Sequence, residues 1–290
     1  MIIGHQKQWQ FLTKSAELGR LSHAYLFTGQ EKLGKRTVAL EWISQLFGQP
    51  SNKLLAVACP DFILITPAQK EIQIGQIRDL NWKLSLKPFS ALFKAAVIDQ
   101  AHLMNAEAQN CFLKTLEEPR GATLLILVTE HPEFLFPTIR SRAEIIKFYP
   151  VPKKEIENYL KSQGIEEKKV RLISQTSQGK PGQAVDFLNQ PQKLKEREVL
   201  INEATNLTKF DLAARFQYAK KISQTSDLKE ILNIWLFYFR ENLIFNLNSE
   251  QPAKLKKLTN ILQKIQEIFF LISTSNINLR LALEILLMEI

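Results

Sequence analysis

The stretch that most constrains the fold is GQEKLGKRT, residues 29–37. Gly29, Gly34 and Lys35 have the spacing of the phosphate-binding motif G-x-x-x-x-G-K-[ST]. The apolar segment HAYLFTG leads into it, and the helix-forming segment KRTVALEWISQLFG follows. A phosphate loop needs this order, because a strand delivers the chain, glycines let backbone N–H groups approach the phosphate, and a helix N-terminus stands behind it. The context favours a phosphate loop over a surface turn with a chance lysine.

The motif departs from its pattern directly after Lys35. A Ser or Thr hydroxyl is expected there because that oxygen normally holds Mg²⁺, but the residue is Arg36. Thr37 comes one place later and would point about 100° further round the helix, so we do not expect it to take over this role. The sequence therefore predicts a phosphate loop by descent whose magnesium ligand has been lost.

A second part of the predicted nucleotide site lies in AAVIDQAHLMN. Asp99 ends an apolar strand, which suits the carboxylate that orients Mg²⁺ in a P-loop enzyme. The next residue in such a hydrolase is usually Glu, whereas this chain has Gln100, and a carboxamide is a poor general base. A strand that merely ends in Asp at a turn is the alternative. We also assign Thr129, at the end of the strand ATLLILVT, to this degenerate site.

Two arginines precede another predicted strand. Arg140 and Arg142 flank Ser141 in FPTIRSRAEIIKF. A guanidinium held at a strand–loop junction can complete the phosphate site of a neighbouring subunit, as an arginine finger. The alternative is an arginine that pairs with an acid on its own domain surface.

The pattern along the chain predicts the fold class and three domains. Residues 1–150 alternate strand and helix patterns, which predicts an α/β P-loop domain with a parallel sheet and helices on both faces. Residues 151–203 are expected to form a small helical lid domain, and residues 204–290 an all-α C-terminal domain. At its end, Leu279, Leu283, Leu286 and Leu287 share one helical face, which could be domain core or an assembly interface.

Composition excludes some classes of protein. With 45% hydrophobic residues the chain can bury a core without disulfides, and its two cysteines, Cys59 and Cys111, form no C-x-x-C pair, so we expect no zinc site. No apolar run is long enough to cross a bilayer and no signal peptide is recognisable, so we expect a cytoplasmic protein without a membrane partner. The net charge of +9 favours nucleic acid as a partner, although the basic residues are spread evenly along the chain.

These segments resemble a known family, the delta-prime subunits of the bacterial DNA polymerase III clamp loader, which are AAA+ proteins. The resemblance covers nearly the whole chain, and NCFLKTLEEP followed by PTIRSR is its most specific part. The other matching segments are IIGHQKQWQFL, LSHAYLFTG, GKRTVALEW, CPDFILITP, IQIGQIRDL, LSLKPF, VIDQAHLMNAEAQ, TLLILVTEHPEFLF, SQGKPGQAVDFL and NINLRLALEILL.

The chain departs from the family's pattern at residues that bind metal or take part in ATP hydrolysis in that family. The four-cysteine zinc module that the family often carries is replaced by the short GQPSNKLLAVACPDF, which again predicts no zinc. The family's SRC triplet appears as Ser141–Ala143, which retains the arginine but not the cysteine. A sensor arginine of the ATPase relatives is replaced by Gln183. Together with Arg36 and Gln100, this makes three gaps in the hydrolytic apparatus.

The resemblance implies a rigid, non-hydrolysing subunit of a DNA-directed DNA polymerase holoenzyme. It would assemble with delta and gamma/tau subunits into a hetero-pentamer that opens a ring-shaped sliding clamp and places it on primed DNA. The C-terminal domain would form the collar of the pentamer, and Arg142, or alternatively Arg140, would be offered to ATP in an adjacent subunit. ATP and Mg²⁺ would bind weakly or not at all.

Two other functions stay open at this point. One is an active loader ATPase of the gamma/tau type, against which Arg36 and Gln100 argue. The other is a P-loop phosphotransferase, which needs a lid and an acceptor pocket near the loop, whereas the long helical tail looks more like an assembly domain.

Overall fold

The chain is known from a computed structural model, which describes residues 2–50, 54, 59–119, 121–207, 210–225, 228–247, 252–274 and 278–290. Its residues group into two compact units, Met1–Asp186 and Phe187–Ile290. The predicted boundary between residues 203 and 204 falls inside a helix, Pro191–Leu207. The division into three domains therefore stays a prediction. A truncated chain that does not divide this helix would have to end before Pro191.

A five-stranded parallel sheet forms the centre of the first unit. The strands are β1 (Ala24–Thr28), β2 (Phe62–Ile65), β3 (Lys94–Ile98), β4 (Thr123–Thr129) and β5 (Glu144–Lys147). Their spatial order is β2-β3-β4-β1-β5, and β4 in the middle places Leu127 opposite both Leu26 and Ile98. Because all the strands are parallel, the residues that follow β1, β3 and β4 meet at one edge of the sheet.

Helices cover both faces of this sheet, as predicted. Alternate residues of β1 enter different cores, since successive side chains of a strand point to opposite faces. Tyr25 packs with Trp42 in one core, and Leu26 belongs to the other core, which also contains Phe112. The helices of this unit are α1 (Gln6–Glu17), α2 (Lys35–Phe47), α3 (Ile74–Ser85), α4 (Ala106–Glu117), α5 (Pro137–Arg142), α6 (Lys153–Ser162), α7 (Glu167–Thr176) and α8 (Pro181–Asn189), the last of which runs to the unit's end and beyond it. The predicted fold class is confirmed.

The second unit is helical throughout the residues that the structure describes. Its core gathers residues of all five helices, including Trp235, Ile265 and Leu283. The helices are α9 (Pro191–Leu207), α10 (Leu212–Ile222), α11 (Leu228–Asn246), α12 (Pro252–Thr274) and α13 (Leu279–Glu289). None of the helices within the described ranges is long and apolar enough to cross a membrane.

The burial of residues in α13 shows whether its leucine face is domain core or an assembly interface. Leu283, Leu286 and Leu287 are buried in the core of their own unit, and Leu279 packs against that core. The face that amphipathic spacing picks out is therefore domain core. The exposed apolar residues of α13 lie elsewhere, at Leu281, Ile285 and Met288, and their spacing of four and three residues places them on one helical face.

Candidate functional site

The stretch 29–37 has the geometry of a phosphate loop between β1 and α2. Gly29 and Gly34 have φ angles of 142° and 88°, which glycine adopts at little cost. A Cβ on Gly29 would also collide with the carbonyl oxygen of Phe148. Helix α2 begins at Lys35, directly behind the loop. The predicted order of strand, glycine loop and helix is present.

The side chain of Lys35 folds back into this loop. Its Nζ donates hydrogen bonds to the carbonyl oxygens of Gly29 and, at 2.6 Å, of Gln30. The residue is only 6% exposed. Burial lowers the pKa of Lys35 to about 8, and the nearby carboxylates of Glu130 and Asp99 act in the opposite direction without cancelling it. The loop therefore carries its own cation, bound to its own carbonyl groups.

The lowered pKa of Lys35 predicts a pH dependence of stability. Between its folded pKa of about 8 and its ordinary value of 10.5, the unfolded chain holds a proton on Lys35 that the folded chain lacks. The free energy of unfolding should therefore rise with pH through this window, because the penalty for burying the cation disappears. Relative to a Lys35→Met variant, we expect wild type to gain on the order of 1–3 kcal/mol between about pH 7 and about pH 10 in urea unfolding. Lys7→Met, at an exposed lysine, is the control; equal pH profiles for Lys35→Met and wild type would contradict the prediction.

Arg36 forms an ion pair with Asp99, the carboxylate that the sequence predicts to orient Mg²⁺. Its Nη1 lies 3.2 Å from Oδ2 of Asp99, and Oδ1 of Asp99 accepts the backbone N–H of Gln100 at 3.1 Å. Arg36, which stands where the motif has a hydroxyl, thus places a permanent positive charge beside this carboxylate. These residues do not fit Mg²⁺, because the guanidinium holds its predicted acid and would repel the ion. The sequence indicates that both residues matter but not that they pair.

Thr129 and two histidines form a polar cluster beside the loop. Thr129 is buried, and its Oγ1 accepts the backbone N–H of His131 at 3.1 Å and lies 3.2 Å from Nδ1 of His102. Glu130 lies 3.9 Å from His102 and 3.8 Å from His131. Burial lowers the pKa of His102. Among the described residues, no group of three or more His, Cys, Asp or Glu could hold a metal ion. Sequence reasoning missed the two histidines, which carry no motif.

The loop is also held by distant parts of the first unit. Lys32 forms an ion pair of 2.9 Å with Asp186, and its carbonyl oxygen accepts the N–H of Gly182 at 2.8 Å. Nε2 of His5 lies 2.7 Å from the carbonyl oxygen of Leu33. Gln183, at the position expected for the sensor arginine, directly follows Gly182 in helix α8. The start of helix α8 is therefore attached to the loop between β1 and α2.

A cavity of about 220 Å³ remains beside the loop. It is lined by Ile2, His5, Gly34, Thr37, Tyr159 and Val185, among others. Thr37 therefore lines this cavity rather than standing beside Asp99 as a substitute for the lost hydroxyl, which agrees with the expectation from helix geometry.

The two candidate finger arginines lie on a short helix, α5, and not in the loop that the sequence suggested. Pro137 opens this helix, a position where proline is favoured. Nη2 of Arg142 lies 2.8 Å from Oε1 of Glu117, and its Nη1 donates to the carbonyl oxygen of Thr138 at 3.1 Å. Within the described chain, Nε of Arg140 is buried without a hydrogen-bond partner. Arg142 has 36% of its side chain exposed.

Arg142 lies at the opposite edge of the sheet from the phosphate loop of its own chain. Glu117 precedes β4 and Arg142 precedes β5, so their ion pair lies near the edge where the strands begin. The phosphate loop and Asp99 follow strands and lie at the opposite edge. With about 3.3 Å per residue along a strand, the sheet separates the two edges by more than a side chain's reach. Any phosphate contact of Arg142 must therefore be with another chain.

Comparison with known proteins finds relatives for most of the first unit. The family model described as DNA polymerase III, delta subunit, matches residues 4–152. DNA polymerase III subunit delta' of Bacillus subtilis is 34% identical over 176 residues, 57% of this chain and 54% of that protein. The same subunit of Pseudomonas aeruginosa is 36% identical over 150 residues, 46% of each chain. Subunit tau of Bacillus subtilis is 24% identical over 92% of this chain and 53% of its own length. The chain spans about half the length of these relatives.

Proposed function

The chain belongs to the DNA polymerase III delta subunit family, and from this premise we propose that it is the delta′ subunit of a bacterial clamp loader that does not hydrolyse ATP itself. It would act in the cytoplasm, inside a DNA-directed DNA polymerase holoenzyme, with no catalytic activity of its own. Its relatives that carry the name delta' are more similar to it than subunit tau, which supports this assignment.

The contact between Arg36 and Asp99 carries the non-hydrolysing part of the proposal. Hydrolysis by a P-loop protein needs a metal that neutralises charge developing on the β- and γ-phosphates, and a residue that positions water. Arg36 stands in place of the hydroxyl ligand and forms an ion pair with Asp99. Gln100 stands in place of the carboxylate that would polarise water. Lys35 and the glycines keep the loop's shape, which can serve as a fixed structural element.

The partners follow from the proposed family role. Delta and gamma/tau subunits would complete a hetero-pentamer, and the pentamer would place a ring-shaped clamp on primed DNA. The exposed apolar face of α13, with Leu281, Ile285 and Met288, offers an assembly surface for the collar. The net charge of +9 suits a protein that works beside DNA.

Restoring the hydroxyl should restore metal-dependent nucleotide binding. We expect wild type to bind Mg-ATP weakly or not at all and to hydrolyse it negligibly. Arg36→Thr frees Asp99 and returns a metal ligand, so its Mg²⁺-dependent affinity for ATP should exceed wild type by roughly 10-fold or more, the effect of one hydrogen bond to a charged group. Titration calorimetry with and without EDTA measures this.

Arg20→Thr, at an exposed arginine, is the matched control and should leave binding unchanged. Micromolar, Mg²⁺-dependent ATP binding by wild type would contradict the proposed loss of the metal site.

An active loader ATPase of the gamma/tau type is the second candidate. The retained loop geometry with Lys35 behind Gly34 is the observation in its favour. Purified protein that turns over ATP at more than about 1 s⁻¹, an ordinary enzyme rate, would favour it over the proposal.

A further inference from the structure

Gln109, in the first half of α4, is a buried amide that bonds to the segment leading into α5. The residue is only 4% exposed. Its Nε2 donates to the carbonyl oxygens of Met104 and Phe134, both at 3.1 Å, and its Oε1 accepts the N–H of Phe136 at 2.8 Å. A glutamine side chain offers two N–H donors and one carbonyl oxygen, so both donors and the acceptor oxygen of Gln109 are used.

Gln109 projects from a helix whose start is itself fixed. Oδ1 of Asn105 accepts the N–H of Ala108 at 2.8 Å and so caps α4. The N–H of Asn105 in turn donates to the carbonyl oxygen of Ile72 at 3.2 Å, and the N–H of Gln109 to that of Asn105 at 3.0 Å. The amide of Gln109 is therefore held at a defined place before it meets any other segment.

The segment that Gln109 holds is the start of α5. Phe136 bonds to Gln109 through its N–H, and its carbonyl oxygen accepts the first helical N–H groups of α5, those of Ile139 at 3.0 Å and Arg140 at 3.2 Å. Helix α5 has only six residues, and a helix of that length is not stable by itself. Contacts with the rest of the unit therefore decide where it lies.

Apolar packing fixes one side of α5 but does not specify its orientation. Leu135 and Ile139 are 1% and 0% exposed and belong to the core that also contains residues of α4. Burial of apolar surface is non-directional, whereas hydrogen bonds constrain both distance and angle. The three bonds of Gln109 thus determine where along α4 the short helix begins.

The same short helix carries Arg142 at its other end. The ion pair between Arg142 and Glu117 is exposed, and surface pairs of this kind hold a side chain only weakly. Within the assembly proposed above, on which this inference rests, Arg142 is offered to ATP bound by an adjacent subunit. We propose that Gln109 is a positioning residue, whose buried amide fixes the start of α5 so that Arg142 reaches the γ-phosphate in the neighbouring site.

Replacing Gln109 by Met tests this role, because the side chain keeps its length but loses all three hydrogen bonds. A misplacement of about 1 Å can lower a rate by about 100-fold, and a finger acts in the transition state rather than in binding ATP. In the reconstituted loader, kcat for clamp- and DNA-stimulated ATP turnover should therefore fall roughly 3-fold or more, while KM for ATP stays within about two-fold of wild type.

A second measurement distinguishes positioning from a general effect on the fold. In a chain that already carries Arg142→Ala, Gln109→Met should cause no further loss of kcat, because the arginine that it positions is gone. Thr176→Val is the matched control, since it removes another buried hydrogen bond of the same unit, 2.7 Å from Oγ1 to the carbonyl oxygen of Leu172. It should leave kcat near wild type.

Wild-type kcat for Gln109→Met in a fully assembled loader overturns the inference, as does an equal loss with and without Arg142. If Gln109→Met does not assemble, Gln109→Asn, whose amide is one methylene shorter, carries the same test. If neither variant assembles, Gln109 serves only the fold and the inference is again overturned. Unchanged ATP turnover for Arg142→Ala refutes the finger itself, and failure of the wild-type chain to assemble refutes the proposed function; both results are visible before any Gln109 variant is made.

Discussion

Replacing Arg142 by Ala is expected to lower the clamp- and DNA-stimulated ATPase of the reconstituted loader while leaving the isolated chain almost as stable as wild type. An arginine finger stabilises charge that spreads over the γ-phosphate in the transition state, and in measured systems it contributes on the order of 10³–10⁵ in rate. A loader with several ATP sites should lose less overall, because only the site next to this chain is affected. Steady-state ATP turnover of the assembled complex measures the effect.

Stability should change little because the ion pair with Glu117 is exposed. Surface pairs of this kind contribute roughly 0–1 kcal/mol, so the melting temperature of Arg142→Ala should fall by no more than a few degrees. Glu117→Gln is the matched control, since it breaks the same 2.8 Å pair but keeps the guanidinium. It should leave the ATPase of the complex near wild type.

The opposite pattern would make Arg142 a structural residue. If Arg142→Ala and Glu117→Gln destabilise the chain equally and neither changes ATP turnover, the ion pair is the arginine's role. If Arg140→Ala lowers turnover and Arg142→Ala does not, the finger is Arg140, although its buried Nε makes this the less favoured outcome.

Placing charge on the exposed face of α13 is expected to abolish entry of the chain into the loader. Leu281→Glu/Ile285→Glu puts two carboxylates where the proposed collar interface would bury apolar side chains. Each substitution at an interface anchor costs about 2 kcal/mol or more, roughly 30-fold in affinity. The double variant should therefore elute as a folded, unassembled protein in size-exclusion chromatography with the other subunits.

Two controls distinguish assembly from folding. Leu212→Glu, at another exposed leucine of the same unit, should assemble normally. Leu283→Glu places a charge in the core and should unfold this unit. If the Leu281→Glu/Ile285→Glu variant still co-elutes with its partners, α13 is not part of the collar. A truncation after Asn189 should likewise fail to assemble, whereas a cut at the boundary predicted from sequence, between residues 203 and 204, would divide α9.

Local patterns along the chain predicted much of the fold. Apolar segments that end at Gly29 and at Asp99 form strands on either side of β4, and their ends meet at one edge of the sheet because the strands are parallel. Helix α5 was missed because six residues carry too little periodicity to distinguish a helix from a loop, although Pro137 was a signal for its start.

Local patterns in the sequence determined only part of the candidate site. Spacing alone placed Gly29, Gly34 and Lys35 in a phosphate loop, and residue type alone showed that Arg36 lacks the hydroxyl. That Arg36 holds Asp99, 63 positions away, required the fold, as did the pairing of Arg142 with Glu117 and the burial of Asp61 beneath residues 89–91.

The sequence by itself determined the fold class, the glycine and lysine spacing of the loop at residues 29–37 and the presence of Arg36 where the motif has a hydroxyl, because each depends on short-range spacing and on chemistry that a residue carries wherever it lies. Only the tertiary structure decided which face of α13 is core, which acid each arginine meets and which apolar side chains stay outside. The physical reason is that an amphipathic period fixes which residues share a face but not what that face packs against. Contacts between residues distant in the chain are fixed only when the whole core closes around them.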